Sequence, residues 1–233
     1  MVAVLVAAAV HLLFDLDGTL TDPLLGISRC LSHAVVALGR SPPDLAGLAR
    51  FVGPPLRATF AELLETDDKG EIERAVAAYR ERFGRVGLYE NAVYPGIPDA
   101  LEALAAAGHR QWVVTSKPHP YARRIVGHFG LESWFEGVYG AELDGRNSDK
   151  ADLVRLVVAT EGLDPAATWM IGDRDLDVRG GRSNGTRTAG VLWGYGTLAE
   201  LAAAGPDLLV ARPDELVGQL QGAGLATSEQ AGP

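Results

Sequence analysis

The chain has 233 residues, which is enough for one large domain or for a core with a smaller insertion. Its formal net charge is −9 and it has no basic block, which argues against nucleic acid as the main partner. The single cysteine, Cys30, excludes an internal disulfide and a cysteine-based metal site. This composition is compatible with a reducing compartment, so we expect a cytoplasmic protein.

The first predicted element is a buried strand. An apolar run from Val2 to Phe14 lacks helical periodicity and is stopped by Asp15 and Gly18. No Lys or Arg precedes this run of 13 residues, and a membrane span needs roughly 20. We therefore interpret it as a strand with a loose N-terminal extension, and expect neither a signal peptide nor a membrane partner.

Helical patterns without a convincing strand fill residues 23–91. Apolar residues recur at spacings of three and four over residues 27–38, and Pro54-Pro55 opens a helix that runs to about residue 64. A longer helix, from about residue 69 to 86, carries one apolar face. The pattern predicts an all-helical insertion.

From residue 97 onward, helical and strand patterns alternate. The predicted strands are 111–115, 137–140, 168–172, 187–192 and 208–210. Repeated βα units predict a parallel sheet with helices on both faces. The predicted fold class is therefore α/β, with a Rossmann-like core of residues 1–22 and 92–220 and a helical insertion of residues 23–91. Residues 221–233 are small and polar, and we expect a disordered tail there.

Polar side chains follow the predicted strands at the edge where their carboxyl ends meet. These residues are Asp15, Asp17, Thr115, Lys150, Asp173 and Asp177. Each alone has an ordinary structural explanation, but together they place several carboxylates, a lysine and a hydroxyl at one edge. Clustered carboxylates favour a hard cation such as Mg²⁺. The lysine and the hydroxyl suit phosphate oxygens, and the combination predicts phosphoryl transfer.

These segments resemble the four motifs of the haloacid dehalogenase superfamily, in the same order. The matching segments are Phe14-Asp15-Leu16-Asp17-Gly18-Thr19-Leu20, Thr115-Ser116-Lys117-Pro118, Lys150 and Gly172-Asp173-Arg174-Asp175-Leu176-Asp177. The helical insertion resembles the small cap of that family. Further matches at residues 53–56, 89–96 and 190–196 resemble the phosphoglycolate phosphatase-like branch.

The resemblance implies a role for each matching acidic residue. Asp15 would be the nucleophile and a Mg²⁺ ligand, and Asp17 would be the general acid/base, with its backbone carbonyl on the metal. Asp173 would be the second metal carboxylate. Asp177 would support the metal site or Lys150, which would orient Asp15 and offset the phosphoryl charge.

The resemblance also implies residues that contact the substrate. Thr115 would hydrogen-bond the transferring phosphoryl group, and the backbone amide of Ser116 would help to hold it. Lys117 could face the substrate, and Arg57 in the insertion could act as a bidentate donor to an anionic group. Roles for Arg146 and for Asp175, which we assign to a helix start, stay open.

Other activities on the same core can be weighed from the sequence. A dehalogenase would lack Asp17, and a phosphonate hydrolase would need a cap lysine, for which only Lys69 is available. A sugar phosphomutase stays open. A phospho-accepting regulatory module would lack both Asp17 and the insertion, and a catalytically inactive binding protein would have lost a motif residue, whereas all of them are present here. We therefore predict a Mg²⁺-dependent phosphatase acting on a small phosphorylated metabolite, with the substrate and the oligomeric state left open.

Overall fold

The computed structural model describes residues 9–41 and 43–228. Eight strands occur in this part of the chain: β1 (His11–Phe14), β2 (Thr21–Asp22), β3 (Ala92–Val93), β4 (Arg110–Pro118), β5 (Gly137–Ala141), β6 (Thr168–Gly172), β7 (Arg187–Val191) and β8 (Leu208–Val210). Six of them form one sheet in the order β5-β4-β1-β6-β7-β8, and every pairing in it is parallel. The predicted α/β class is confirmed.

Nine α-helices accompany these strands in the same residues. They are α1 (Leu24–Ala37), α2 (Leu56–Leu64), α3 (Lys69–Arg85), α4 (Ile97–Ala106), α5 (His119–His128), α6 (Lys150–Glu161), α7 (Asp175–Ser183), α8 (Leu198–Ala204) and α9 (Pro213–Ser228). Across the described ranges, none of these helices has the length and apolar character that crossing a membrane requires.

Strand β1 lies at the centre of the sheet. It pairs with β4 on one side and β6 on the other, and Leu13 stands opposite both Trp112 and Met170. Leu12, Leu13 and Phe14 are fully buried because helices cover both faces. The predicted buried strand is confirmed for His11–Phe14, and residues 1–8 of the predicted extension lie outside the described residues.

The helical segment leaves and rejoins the sheet region through a short antiparallel ribbon. In this ribbon β2 pairs with β3, with Thr21 opposite Val93 and Asp22 opposite Ala92. Helices α1 to α3 lie between the two strands in the chain. The boundaries of the predicted insertion, residues 23 and 91, stay a proposal. The two strands of the ribbon lie directly beside these positions in the chain.

The helical segment packs on the core through aromatic residues. Phe83 of α3 stacks on Tyr79, with ring centroids 5.3 Å apart, and meets the edge of Tyr121 of α5 at 5.4 Å. Phe14 and Phe83 belong to one continuous apolar cluster. The opposite face of the sheet has its own cluster around Trp112 and Met170.

The expectation of a disordered tail from residue 221 is wrong for residues 221–228. Helix α9 continues through Ser228, and residues 229–233 lie outside the described part of the chain. The first half of the helix is anchored by the buried side chains of Leu216 and Leu220. Forming the first turn is the costly step of helix formation. Because the first half of α9 is already packed on the core as a helix, the small residues that follow can extend it at little cost.

Candidate active site

The first acidic motif is held in place by a tight turn after β1. The backbone N–H of Asp15 donates to the carbonyl of Ile171 at 2.9 Å, which extends the β1–β6 pairing by one residue. Gly18 adopts φ = +85°, and a Cβ atom there would lie 2.2 Å from a carboxylate oxygen of Asp173. Only glycine permits this approach without displacement. The turn therefore brings the first motif against the last one.

Three carboxylates converge at the carboxyl edge of the sheet. Asp15, Asp173 and Asp177 each offer an oxygen, and these atoms all lie within 4.8 Å of one another. Burial, followed by the neighbouring carboxylate charges, raises the pKa of Asp173 to about 8. Burial also raises the pKa of Asp177 to about 6, against the opposing effect of Lys150. Carboxylates are hard oxygen donors, and close packing of several of them disfavours their ionised forms when no cation is present. Such a set of donors suits Mg²⁺.

Lys150 connects two of these carboxylates. It is the first residue of α6, and its Nζ lies 2.9 Å from Asp15 Oδ1 and 2.8 Å from Asp177 Oδ1. It also donates to the carbonyl of Val114 at 3.0 Å. Burial disfavours its charged form, but the charges of Asp15 and Asp177 outweigh that effect and raise its pKa. Lys150 is therefore a buried, fully charged ammonium beside the predicted nucleophile.

The second motif lies at the end of β4. This strand extends to Pro118, three residues beyond its predicted end, with a register shift against β5 after Thr115. Thr115 is buried, and its hydroxyl accepts the backbone N–H of Lys117 at 3.2 Å. Ser116 is partly exposed at the same edge. The structure thus places Thr115 and Ser116 at the edge that holds the carboxylates.

Lys117 contacts Asp17. Its Nζ lies 2.5 Å from Asp17 Oδ2, and 4.7 Å from the ring centroid of Phe83 in the helical segment. Burial raises the pKa of Asp17, and the charge of Lys117 opposes that shift. We expected Lys117 to face the substrate, but in this structure its ammonium pairs with the predicted general acid/base.

A loop after β7 supports Asp173, and its role was not predicted. The backbone N–H of Tyr195 donates to Asp173 Oδ2 at 2.8 Å, and Trp193 Nε1 donates to the carbonyl of Thr19 at 2.9 Å. A Cβ atom on Gly194 would lie 2.4 Å from Asp173. The Gly-rich segment 190–196 was the available sequence signal, because repeated glycines next to aromatic residues mark close backbone approach.

Three side chains left open by the sequence are engaged elsewhere. Arg57 pairs with Glu73 at 2.5 Å and its side chain is 51% exposed, while Arg146 pairs with Asp144 at 2.8 Å. Asp175 begins α7 and pairs with Arg179 at 3.2 Å. None of these contacts joins the carboxylate cluster, so a substrate role for Arg57 stays a prediction that this geometry does not support.

Arg174 makes an unpredicted link between the core and the helical segment. Its Nη1 donates to the carbonyl of Val52 at 3.0 Å, and its Nε donates to Glu200 at 2.8 Å. Its backbone N–H donates to Asp177 at 3.1 Å. One residue thus contacts the acidic cluster through its backbone and the helical segment through its side chain.

Comparison with known proteins identifies the class. A model of haloacid dehalogenase-like hydrolases matches residues 12–191, and the chain belongs to this family. A crystal structure of a predicted phosphatase from Clostridium acetobutylicum has a TM-score of 0.85 and 36% identity, covering 91% of this chain and 99% of that one.

Three curated relatives refine this class. A 5′-nucleotidase of Pseudomonas aeruginosa is 47% identical over 84% of this chain and 88% of its own. A phosphoglycolate phosphatase of Aquifex aeolicus is 30% identical over 88% and 94%. The tyrosine-protein kinase PtkA of Mycobacterium tuberculosis is 40% identical over 79% of this chain, which spans only 62% of that protein. With the family and the phosphatase relatives, the predicted class is confirmed: the protein is a phosphatase, a hydrolase of phosphoric monoesters.

Proposed function

We propose that this phosphatase hydrolyses a small phosphomonoester in a Mg²⁺-dependent reaction, through a phosphoryl intermediate on Asp15. The observation that carries the proposal is the convergence of Asp15, Asp173 and Asp177 within 4.8 Å, with the Lys150 ammonium between two of them. A nucleophilic carboxylate, a cation site and a fixed positive charge are what transfer of a phosphoryl group requires.

The metal would be held by the carboxylates of Asp15 and Asp173 and by the backbone carbonyl of Asp17. Asp177 would support this site by fixing its surroundings, because it accepts both from Lys150 and from the backbone N–H of Arg174. When bound, Mg²⁺ supplies a Lewis acid for the phosphoryl oxygens and offsets the carboxylate repulsion.

The chain's own residues account for two successive displacements. An oxygen of Asp15 attacks phosphorus, the bond from phosphorus to the ester oxygen breaks, and Asp17 gives its proton to the departing alcohol. Asp17 then takes a proton from water, whose oxygen attacks phosphorus and releases Asp15 and inorganic phosphate. Thr115 and the amide of Ser116 hold phosphoryl oxygens, and Lys150 keeps its proton and offsets their charge.

The helical insertion, proposed here as residues 23–91, acts as a cap that limits the substrate to small molecules. Its packing on the core through Phe83 and Tyr121 supports this role, because a closed cap would exclude water and bulk from the carboxylate edge. The relative named 5′-nucleotidase supports a nucleoside monophosphate as substrate, and the relative named phosphoglycolate phosphatase supports a small phosphorylated acid. The net charge of −9 argues against a nucleic acid partner, and a cytoplasmic location remains a prediction from the sequence.

A second candidate function is phosphoryl transfer to another acceptor. The relative named tyrosine-protein kinase supports a protein hydroxyl as acceptor, and the same core suits a sugar phosphomutase. A phosphomutase differs from a phosphatase in the acceptor of the phosphoryl group, a second hydroxyl in place of water, and a kinase differs also in the donor, which is ATP. A phospho-accepting module without turnover would release no phosphate and would keep the phosphoryl group on Asp15, which labelling of the protein with radioactive phosphate detects.

The test is phosphate release from a panel containing nucleoside 5′-monophosphates, 2-phosphoglycolate and sugar phosphates, with Mg²⁺ and with EDTA. We expect Mg²⁺-dependent turnover that Asp15→Asn abolishes and that Asp214→Asn, at an exposed pair on α9, leaves unchanged. The ranking by kcat/KM identifies the substrate class. Turnover that persists in Asp15→Asn would contradict the assigned nucleophile, and transfer from ATP to a tyrosine peptide without phosphate release would favour the kinase.

A further inference from the structure

Lys117 occupies a position that the proposed chemistry leaves unexplained. Its ammonium is neither at the carboxylate cluster with Lys150 nor in solvent: its side chain is only 6% exposed, and it lies between Asp17 of the core and Phe83 of the cap. We propose that Lys117 is a positioning residue that fixes one oxygen of the Asp17 carboxyl and so presents the other to the reacting oxygen. This inference rests on the proposed function.

The two oxygens of Asp17 have different environments. Oδ2 lies 2.5 Å from Lys117 Nζ, whereas Oδ1 is buried and has no hydrogen-bond partner within the described residues. A buried carboxylate oxygen without a partner is costly, and such atoms in native structures call for a ligand, a water or a catalytic role. Oδ1 is therefore the oxygen available to the leaving alcohol in the first step and to water in the second.

The position of Lys117 is itself fixed from two sides. Its backbone N–H donates to the Thr115 hydroxyl at 3.2 Å, so the same threonine that faces the phosphoryl group orients the lysine. On the cap side, the ammonium lies 4.7 Å from the Phe83 ring centroid, and that ring is held by its stack on Tyr79. A cation over an aromatic face is stabilised more strongly when it is desolvated. The orientation of Asp17 thus depends on a packed cap.

Fixing the Asp17 carboxyl affects the proton transfer in each of the two steps. In the first step the proton moves from Asp17 Oδ1 to the ester oxygen as its bond to phosphorus breaks. In the second step a water proton moves to Oδ1 as the water oxygen bonds to phosphorus and the bond to Asp15 breaks. Lys117 keeps all its protons throughout. Without Lys117, the carboxyl group of Asp17 can rotate about its Cβ–Cγ bond. The rate of the first step then falls most for esters whose alcohol leaves poorly unless it is protonated.

The experiment compares kcat/KM for an alkyl phosphate, 2-phosphoglycolate, with that for p-nitrophenyl phosphate, whose leaving group needs no proton. General acid catalysis contributes roughly 10²–10⁴-fold, so Lys117→Met should lower kcat/KM for the alkyl ester by roughly 30-fold or more. The value for p-nitrophenyl phosphate should fall by less than about 3-fold. Lys69→Met, at an exposed lysine that begins α3, is the matched control and should change neither. Equal losses on both esters would overturn the proposal.

Three further variants separate positioning from a general structural role. Because Lys117 acts through Asp17, adding Lys117→Met to Asp17→Asn should cause no further loss, whereas independent effects would multiply. Phe83→Leu should reproduce part of the difference between the esters, and Lys117→Arg should restore part of it. Multiplying losses in the double variant would overturn the inference alone. Wild-type turnover that is absent, or unaffected by Asp15→Asn, would overturn the proposed function and this inference with it.

Discussion

Removing divalent cations should make the stability of this protein strongly dependent on pH. Asp173 has a pKa near 8 in the folded chain against an ordinary value of 3.8, so between pH 5 and 7 it is protonated when folded and ionised when unfolded. The folded state then binds one more proton, and the free energy of unfolding falls by about 1.4 kcal/mol for each unit of rising pH. Asp177, raised to about 6, adds a loss of the same sign below pH 6.

The expected loss from the two groups together is therefore about 4 kcal/mol between pH 5 and 7, which corresponds to about 8–16 °C in Tm for a chain of this length. Thermal unfolding followed by circular dichroism, in EDTA and in MgCl₂, measures it. Because the ligands must be ionised to bind a cation, Mg²⁺ should stabilise more as pH rises, and the gap between the two curves should widen.

Asp173→Asn supplies the control for this assignment. The variant keeps the shape of the side chain but removes the titrating group, so its Tm in EDTA should depend less on pH and exceed that of the wild type at pH 8. Asp214→Asn, an exposed carboxylate on α9, should follow the wild type. A flat or rising wild-type Tm in EDTA, or an unchanged slope in Asp173→Asn, would refute the reasoning.

Three further predictions concern single contacts of the site. Lys150→Met leaves buried carboxylates unpaired and should cost about 3–5 kcal/mol in urea unfolding at pH 8, and less at pH 5, where Asp177 takes up a proton; equal losses at both pH values would contradict this. Gly18→Ala should abolish turnover and cost about 1–3 kcal/mol, whereas Gly39→Ala, also at positive φ but with nothing within 4 Å, should cost less and keep activity. Arg174→Met removes the bond to the Val52 carbonyl and should raise KM by roughly tenfold, from about 1.4 kcal/mol of lost cap contact, with a smaller change in kcat; an unchanged KM would show that the link does not hold the cap.

The sheet and its acidic edge could be predicted because both follow from local patterns. An apolar run ending at Asp15 and another ending before Asp173 define two parallel strands, and parallel strands bring their carboxyl ends to one edge. The pairing of Lys117 with Asp17 could not be predicted in this way. It depends on where the cap places Phe83, a contact between residues far apart in sequence that no local periodicity encodes.

The same distinction explains the error at the chain's end and the unpredicted support of Asp173. The second half of α9 has a composition typical of a tail, and it becomes helical because buried residues such as Leu216 anchor the first half. The support that Tyr195 gives to Asp173 comes from a backbone N–H, which every residue except proline carries and which no sequence pattern distinguishes.

The ribbon of β2 and β3 has a consequence for how this enzyme can diversify. The chain departs at Asp22 and returns at Ala92 as directly paired neighbours, so the sheet needs only that the two ends meet, whatever lies between them. Doubling the length of such an excursion adds only about 0.6 kcal/mol of closure entropy. If the helical segment acts as the proposed cap, it can therefore be lengthened, shortened or exchanged as one module, with a change of substrate, while the proposed phosphoryl chemistry stays on the strands of the sheet.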